Sequence, residues 1–257
     1  MRSCFAFIVA LTVLLTQPGQ SQDCRPDPAT RTRVVDATLA PYRYLCAIKV
    51  YRKRGSHPAT AFLISPTVLV TAGHSISKRG SKIRRIDVMP FINGRPSDSS
   101  KIVFDRSEVS LFVDANYKGK RGQSEFDYGT IKLSTDTLFR IIGGHFIWKD
   151  NYQYLKDGES LPVHLAGYPC DQVEYEMYEQ DGRIDRLQSQ CITYNFYTRK
   201  RNSGSPVWVD VNGQAVVVGI HNTGYGKKCR PVRPPRHCSK GARINQKVYN
   251  NITSWMN

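Results

Sequence analysis

A chain of 257 residues, 40% of them hydrophobic, is long enough to bury one or two substantial cores, and its formal charge of +16 points to anionic partners. No zinc-ligand spacing, helix-turn-helix signal or aromatic RNA-binding motif accompanies that charge, so specific nucleic-acid recognition is set aside. Beyond the amino terminus no stretch is long and apolar enough for a transmembrane helix.

The chain opens with Met1-Arg2-Ser3, the apolar run Phe5 to Leu15 and small or polar residues to Ser21. That is the layout of a secretory signal peptide over residues 1–21, which makes the expected product a soluble extracellular protein. Its removal leaves a charge of +15 and the cysteines Cys24, Cys46, Cys170, Cys191, Cys229 and Cys238. An even number in an oxidising compartment predicts three disulfides. Many pairings are open; short separations favour Cys170 with Cys191 and Cys229 with Cys238, leaving Cys24 with Cys46. Arg31-Thr32-Arg33-Val34-Val35 offers a trimming point after Arg33, so residues 22–33 are a candidate propeptide, with an unprocessed loop as the alternative.

Short apolar runs then follow with turns between them: Tyr44 to Tyr51, Thr60 to Ser65, Val68 to Thr71, Ile83 to Met89, Val109 to Val113 and Tyr128 to Leu133. The pattern loosens between Ser134 and Leu161. It resumes at Pro162 to Tyr168, Tyr175 to Glu179, Gln190 to Tyr194, Ser205 to Val211 and Ala215 to His221. Two runs of strands with a looser joint predict an all-β chain of two barrels, over residues 34–138 and 139–257. Only the tail is helical, because Val248, Ile252, Trp255 and Met256 recur at helical spacing after a cap at Asn245. Asn251-Ile252-Thr253 is a candidate glycosylation acceptor at Asn251.

Three stretches carry chemistry. Val68 to His74 is an apolar strand ending in Thr71-Ala72-Gly73-His74. Phe126-Asp127-Tyr128-Gly129-Thr130-Ile131-Lys132-Leu133 opens an alternating strand on an acid. Arg201-Asn202-Ser203-Gly204-Ser205-Pro206-Val207-Trp208 presents a serine at a tight turn feeding a buried strand. A histidine, an aspartate and a serine, each at a strand edge, are the parts of an activated nucleophile, since a lone serine is weak at neutral pH and needs a neighbouring base. Asp105, Asp114 and Glu125 compete with Asp127, whose place at the head of a regular strand favours it. His57, His145, His164 and His237 are read as ordinary surface or packing residues. No His-Glu-x-x-His occurs and the cysteines lack zinc-like pairs, so neither a metal nor a cofactor is expected.

These residues resemble the chymotrypsin-fold serine proteases, and more narrowly the glutamyl endopeptidases. Asn202 stands where trypsin-like enzymes have an aspartate and Ser205 where they have a glycine. Gly167-Tyr168-Pro169, Gly219-Ile220-His221 and Gly241-Ala242-Arg243-Ile244-Asn245 also match that branch, over a likeness running from about Pro58 to the terminal helix. The resemblance implies two six-stranded antiparallel barrels with the active site between them. It assigns Ser203 as nucleophile, His74 as general base and acid, Asp127 as the residue orienting the imidazole, and the amides of Arg201 and Ser203 as the oxyanion hole. Tyr197, six residues before the serine, is not the aspartate that cleavage after Lys or Arg requires. Thr198 and His221 match the branch's ligands for an acidic side chain, and a freed amino group on Val34 would add positive charge.

Those assignments imply a secreted endopeptidase that cuts proteins or peptides after Glu, less strictly after Asp. Three features depart from the family: Arg201 replaces a glycine, Arg199-Lys200 makes the loop cationic, and Ser75 replaces a cysteine. The alternative is a weak or inactive relative that binds a polyanionic surface or a partner protein through its basic runs, Arg52 to Arg54, Lys78 to Arg85, Arg199 to Arg201 and Lys227 to Arg243.

Overall fold

The computed structural model describes residues 30–77, 82–120, 122–149, 155, 162–224 and 238–257. The signal segment, Cys24, Cys229, His237 and parts of two basic runs lie outside them.

Strands dominate, and their alternation explains where the cores form. The amino-terminal sheet comprises β2 (Leu45–Arg52), β3 (Ser56–Ser65), β4 (Val68–Thr71), β5 (Ile83–Pro90), β6 (Ile102–Asp105), β7 (Val109–Val113) and β8 (Gly129–Leu133), paired in the order β6-β5-β2-β3-β4-β8-β7. Successive side chains in a strand face opposite sides. Cys46, Ile48 and Val50 of β2 therefore join Ala61 and Leu63 of β3 in this sheet's own core, while Leu45, Ala47, Phe62 and Ile64 face a second cluster. Both faces are covered, and that is why β2 and β3 read as nearly continuous apolar runs.

The carboxy-terminal sheet repeats this logic. It contains β1 (Thr32–Arg33), β9 (Pro162–Gly167), β10 (Tyr178–Leu187), β11 (Cys191–Tyr194), β12 (Pro206–Val211), β13 (Gln214–Thr223) and β14 (Ser239–Arg243). The order is β1-β10-β11-β14-β13-β12-β9, and a further β9–β10 pairing closes six strands into a barrel with β1 on its edge. Val163, Leu165, Val216 and Val218 fill that barrel, whereas Ala166, Val217 and Ile220 turn to the cluster shared with the first sheet. The fold is thus the expected chymotrypsin-like one, a closed six-stranded barrel beside a curled half-barrel, with the expected helix at the end.

That helix (Gln246–Met256) starts at Asn245, whose Oδ1 accepts the Val248 amide at 2.9 Å. Such a cap contributes about 1 kcal/mol, and each fully buried Val or Ile about 1.5–3 kcal/mol. Val248 and Ile252 enter the shared cluster, and Trp255 stacks on Tyr128 and Phe112 with ring centres 5.9 Å apart. Asn251 lies on the same face. Its Nδ2 donates to Asp114 Oδ2 (3.0 Å) and the Tyr128 hydroxyl (2.8 Å), so a glycan, which replaces one hydrogen on that nitrogen, would break at least one of the two bonds. Among the described residues no helix is long and apolar enough to cross a membrane.

Two expected disulfides are overturned. Cys46 points into the amino-terminal core and Cys191 opens β11 opposite Ala242; both are buried free thiols, so neither Cys24–Cys46 nor Cys170–Cys191 forms. Cys170 and Cys238 carry disulfide bonds.

Candidate active site

β4 ends at Thr71, and the chain turns through Ala72 into a single helical turn, α1 (Gly73–Ile76), that carries His74. The adjacent strand β8 pairs Gly129 with Thr71, which brings the residues just before it alongside that turn. Asp127 consequently holds His74 twice: Oδ1 accepts the His74 amide at 2.7 Å and Oδ2 meets the ring Nδ1 at 2.8 Å. Nε2 is left on the opposite edge of the ring. The rival acids are used elsewhere, Asp114 on Tyr128 and Asn116, and Asp105 with Glu108 in a capping box. A polar cavity of about 210 Å³ opens along this pair, lined also by Tyr117, Lys120, Asn222 and Thr223.

Asn222 fastens the acid from beneath. Its Nδ2 donates to the carbonyls of Ser124 (2.7 Å) and Asp127 (3.1 Å), tying the Asp127 turn to β13 of the other barrel. His57 packs edge-on against His74 with ring centres 5.9 Å apart, and burial, followed by the His74 charge, lowers its pKa to about 4.

The serine turn is held by the amino-terminal sheet. Thr60 donates its amide to the Ser203 carbonyl (3.0 Å) and its hydroxyl to the Arg201 carbonyl (2.8 Å), while the Gly204 amide donates to the His221 carbonyl (2.7 Å). Gly204 has φ +91°, and a Cβ there would lie 2.1 Å from the Thr60 carbonyl oxygen and 3.0 Å from the Ala72 amide. This close approach seats Gly204 against the segment leading into His74, and Ser203 beside it is half-buried. Arg201 takes φ +78°, the left-handed conformation that glycine adopts freely and that costs other residues about 1–3 kcal/mol. Its guanidinium turns away to Glu174 (3.6 Å) and over the Tyr175 ring.

Behind the turn, Thr198 and His221 come together. The Thr198 hydroxyl bonds to Ser239 Oγ at 2.8 Å, and His221 Nδ1 bonds to the Tyr194 hydroxyl at 2.7 Å. A Cβ on Gly224 would lie 2.1 Å from Thr198 Oγ1 and 3.3 Å from His221 Nε2, so both polar atoms face one small spot covered by a glycine. Thr198 is 0% and His221 1% exposed, so both are shut off from solvent. Burial, then the charge of His74, lowers the His221 pKa to about 3 and keeps the ring neutral.

The cationic loop expected from Arg199-Lys200-Arg201 is less open than its sequence implies. The Arg199 side chain is 1% exposed and paired with Asp171 (3.2 Å). Val34 is buried in the shared cluster, its amide donating to the Met177 carbonyl (2.9 Å) and its carbonyl accepting from Asn93 (2.7 Å). Thr60 and Asn222 escaped the sequence reading. Nothing in a strand of small residues marks Thr60, and Asn222 stands beside His221, the residue the motif singles out.

Residues 35–248 match the family described as Trypsin. An extracellular metalloprotease of Bacillus subtilis (strain 168) is 28% identical over 236 residues, which span 88% of this chain and 68% of that relative. Among the described residues no group of three or more His, Cys, Asp or Glu side chains is placed to hold a metal ion. A glutamyl endopeptidase of Bacillus licheniformis is 27% identical over 236 residues, with 88% and 67% of the two chains covered. The solved structure of a Glu endopeptidase in complex with MPD superposes with a TM-score of 0.67 at 22% identity, covering 88% of this chain and 96% of that one. The chain belongs to the trypsin family and is a serine endopeptidase of the chymotrypsin fold.

Proposed function

We propose that the protein is an exported endopeptidase that cleaves after glutamate, less strictly after aspartate, through His74, Asp127 and Ser203. Ser203 Oγ attacks the scissile carbonyl as its proton passes to His74 Nε2. The amides of Arg201 and Ser203 receive the oxyanion, and the imidazolium protonates the departing amine; water then repeats the sequence to free the acid. The double grip of Asp127 on His74 supports this, because it directs the other ring nitrogen towards an incoming hydroxyl.

The observation that carries the acidic preference is the meeting of Thr198 Oγ1 and His221 Nε2 at Gly224. His221 Nε2 is the donor this site offers a carboxylate, because Nδ1 is taken by the Tyr194 hydroxyl; the Thr198 hydroxyl donates to Ser239 Oγ, whose own proton goes to the Phe196 carbonyl, and joins in only by turning from that partner. Buried donors fixed in this way favour a carboxylate over an uncharged side chain. The name of the Bacillus licheniformis relative agrees. Export rests on residues 1–21 and on the word extracellular in the Bacillus subtilis relative's name.

A fluorophosphonate probe tests the catalytic half of this reading. Stoichiometric labelling of the wild-type chain, lost in Ser203→Ala, is expected; no labelling of the wild type would contradict an activated Ser203.

A further inference from the structure

Every residue from Thr30 to Val34 has a partner on the carboxy-terminal barrel. Thr30 Oγ1 donates to Gln180 Oε1 (3.4 Å), and the Arg31 guanidinium forks onto both oxygens of Asp171 (2.8 and 3.1 Å). Thr32 pairs with Glu179 in the sheet, Arg33 Nε meets Glu176 (3.1 Å), and the Val34 amide donates to Met177 (2.9 Å). The Arg33–Val34 bond therefore lies inside a ladder, with Val34 2% exposed.

These ties converge on one wall of the pocket. Gln180 is buried and clamps Tyr197, Nε2 donating to its carbonyl (2.9 Å) and Oε1 accepting its amide (2.7 Å). Asp171, gripped by Arg31, also accepts Arg199 Nε (3.2 Å), and the Arg31 guanidinium lies 4.8 Å from the Tyr197 ring centre. Thr198 stands between the two residues so held. Forked, charge-assisted bonds fix direction as well as distance, and an Arg31 side chain only 6% exposed leaves Asp171 little water to replace it.

We infer that Arg31 is a positioning residue for the Tyr197–Arg199 wall, so that the uncut amino-terminal segment, and not a freed amine on Val34, sets the selectivity of the pocket. The inference rests on the proposed contact of Thr198 and His221 with the substrate carboxylate. It deepens that reading by making residues 30–33 part of the working enzyme and not a propeptide to be discarded.

The test compares the full chain, Arg31→Gln, Arg31→Lys and a chain released from a fusion to begin at Val34, on two peptides differing only in Glu or Gln before the scissile bond. Arg31→Gln is expected to lower the Glu-to-Gln ratio of kcat/KM about tenfold or more, mainly through KM for the Glu peptide, with fluorophosphonate labelling of Ser203 retained. Arg31→Lys should recover part of the ratio, and the Val34 chain should resemble Arg31→Gln. Equal losses on both peptides, an unchanged ratio, or a Val34 chain more selective than the full chain would overturn the inference. Should Arg31→Gln fail to show cooperative melting, the Lys variant decides: an intermediate ratio supports the positioning role and a wild-type ratio contradicts it. A full chain with no preference for Glu over Gln refutes the pocket reading itself, and the role of Arg31 falls with it.

Discussion

Asp127 binds His74 through both of its carboxylate oxygens, one on the backbone amide at 2.7 Å and one on the ring at 2.8 Å. The amide bond fixes where the acid sits, and the ring bond commits Nδ1, leaving Nε2 for the proposed proton transfer from Ser203. Asp127→Asn keeps the shape but offers an amide where the ring nitrogen needs an acceptor. Turnover should fall about 10⁴-fold with the melting temperature little changed. Stopped assays beside Ser203→Ala would measure it, and a loss under tenfold would remove Asp127 from the reaction.

Gly204 and Arg201 both have positive φ, and they should respond in opposite ways to substitution. A methyl at position 204 would lie 2.1 Å from the Thr60 carbonyl oxygen, so Gly204→Ala should cost about 3 kcal/mol or more, visible in denaturant melts, and abolish turnover.

Arg201→Gly relieves a strained conformation while gaining chain entropy in the unfolded state, two effects of about 1 kcal/mol each that nearly cancel. Stability should stay within about 1 kcal/mol and turnover within about tenfold of wild type, or rise. A hundredfold loss of turnover would mean that the Arg201 side chain itself takes part.

Burial lowers the His221 pKa from 6.5 to about 3. On unfolding the ring binds a proton that the folded chain refuses, so stability is lost as pH falls through 6.5 towards 3, to a total of several kcal/mol. His57, held down to about 4, adds to the same loss. Urea melts across that range should show a slope that flattens in His221→Gln; equal slopes would place little of the effect on this residue.

Cys46 and Cys191 should resist thiol reagents. Burial raises both thiols, Cys191 to about 11 and Cys46 further, and the thiolate is the reactive form. Ellman's reagent at neutral pH should leave both untouched in the folded chain and modify both in denaturant. Mass mapping that finds either in a disulfide would contradict their free state.

Strands with two buried faces, such as β2, β4 and β12, were legible in the sequence because their apolar runs are short and bounded by turns. β14, Ser-Lys-Gly-Ala-Arg, was not, since small residues and a buried Arg243 bonded to the Gln188 and Leu155 carbonyls carry no apolar signal. β10 was placed too early, as Tyr175 to Glu179. The polar run Tyr178–Leu187 is a strand because its halves pair with β9 and β11. The motif residues His74, Asp127 and Ser203 stood out locally. Thr60, Asn222, Gln180 and Asp171 did not, because their work depends on partners about 95 or more residues away for the first two and on the junction of β1 with the pocket wall for the others. The Cys24–Cys46 pair failed for a related reason: strand alternation turned Cys46 into a core.

Hydrolysis of a matched peptide series, varied only in the residue before the scissile bond (Glu, Asp, Gln, Lys, Phe, Ala) and run beside Ser203→Ala, tests the account most directly. Cleavage led by Glu, weaker for Asp, at least about tenfold lower for Gln and absent in the mutant is predicted. Turnover led by Lys or Phe would contradict the roles of Thr198 and His221, and turnover that survives in Ser203→Ala would contradict the nucleophile.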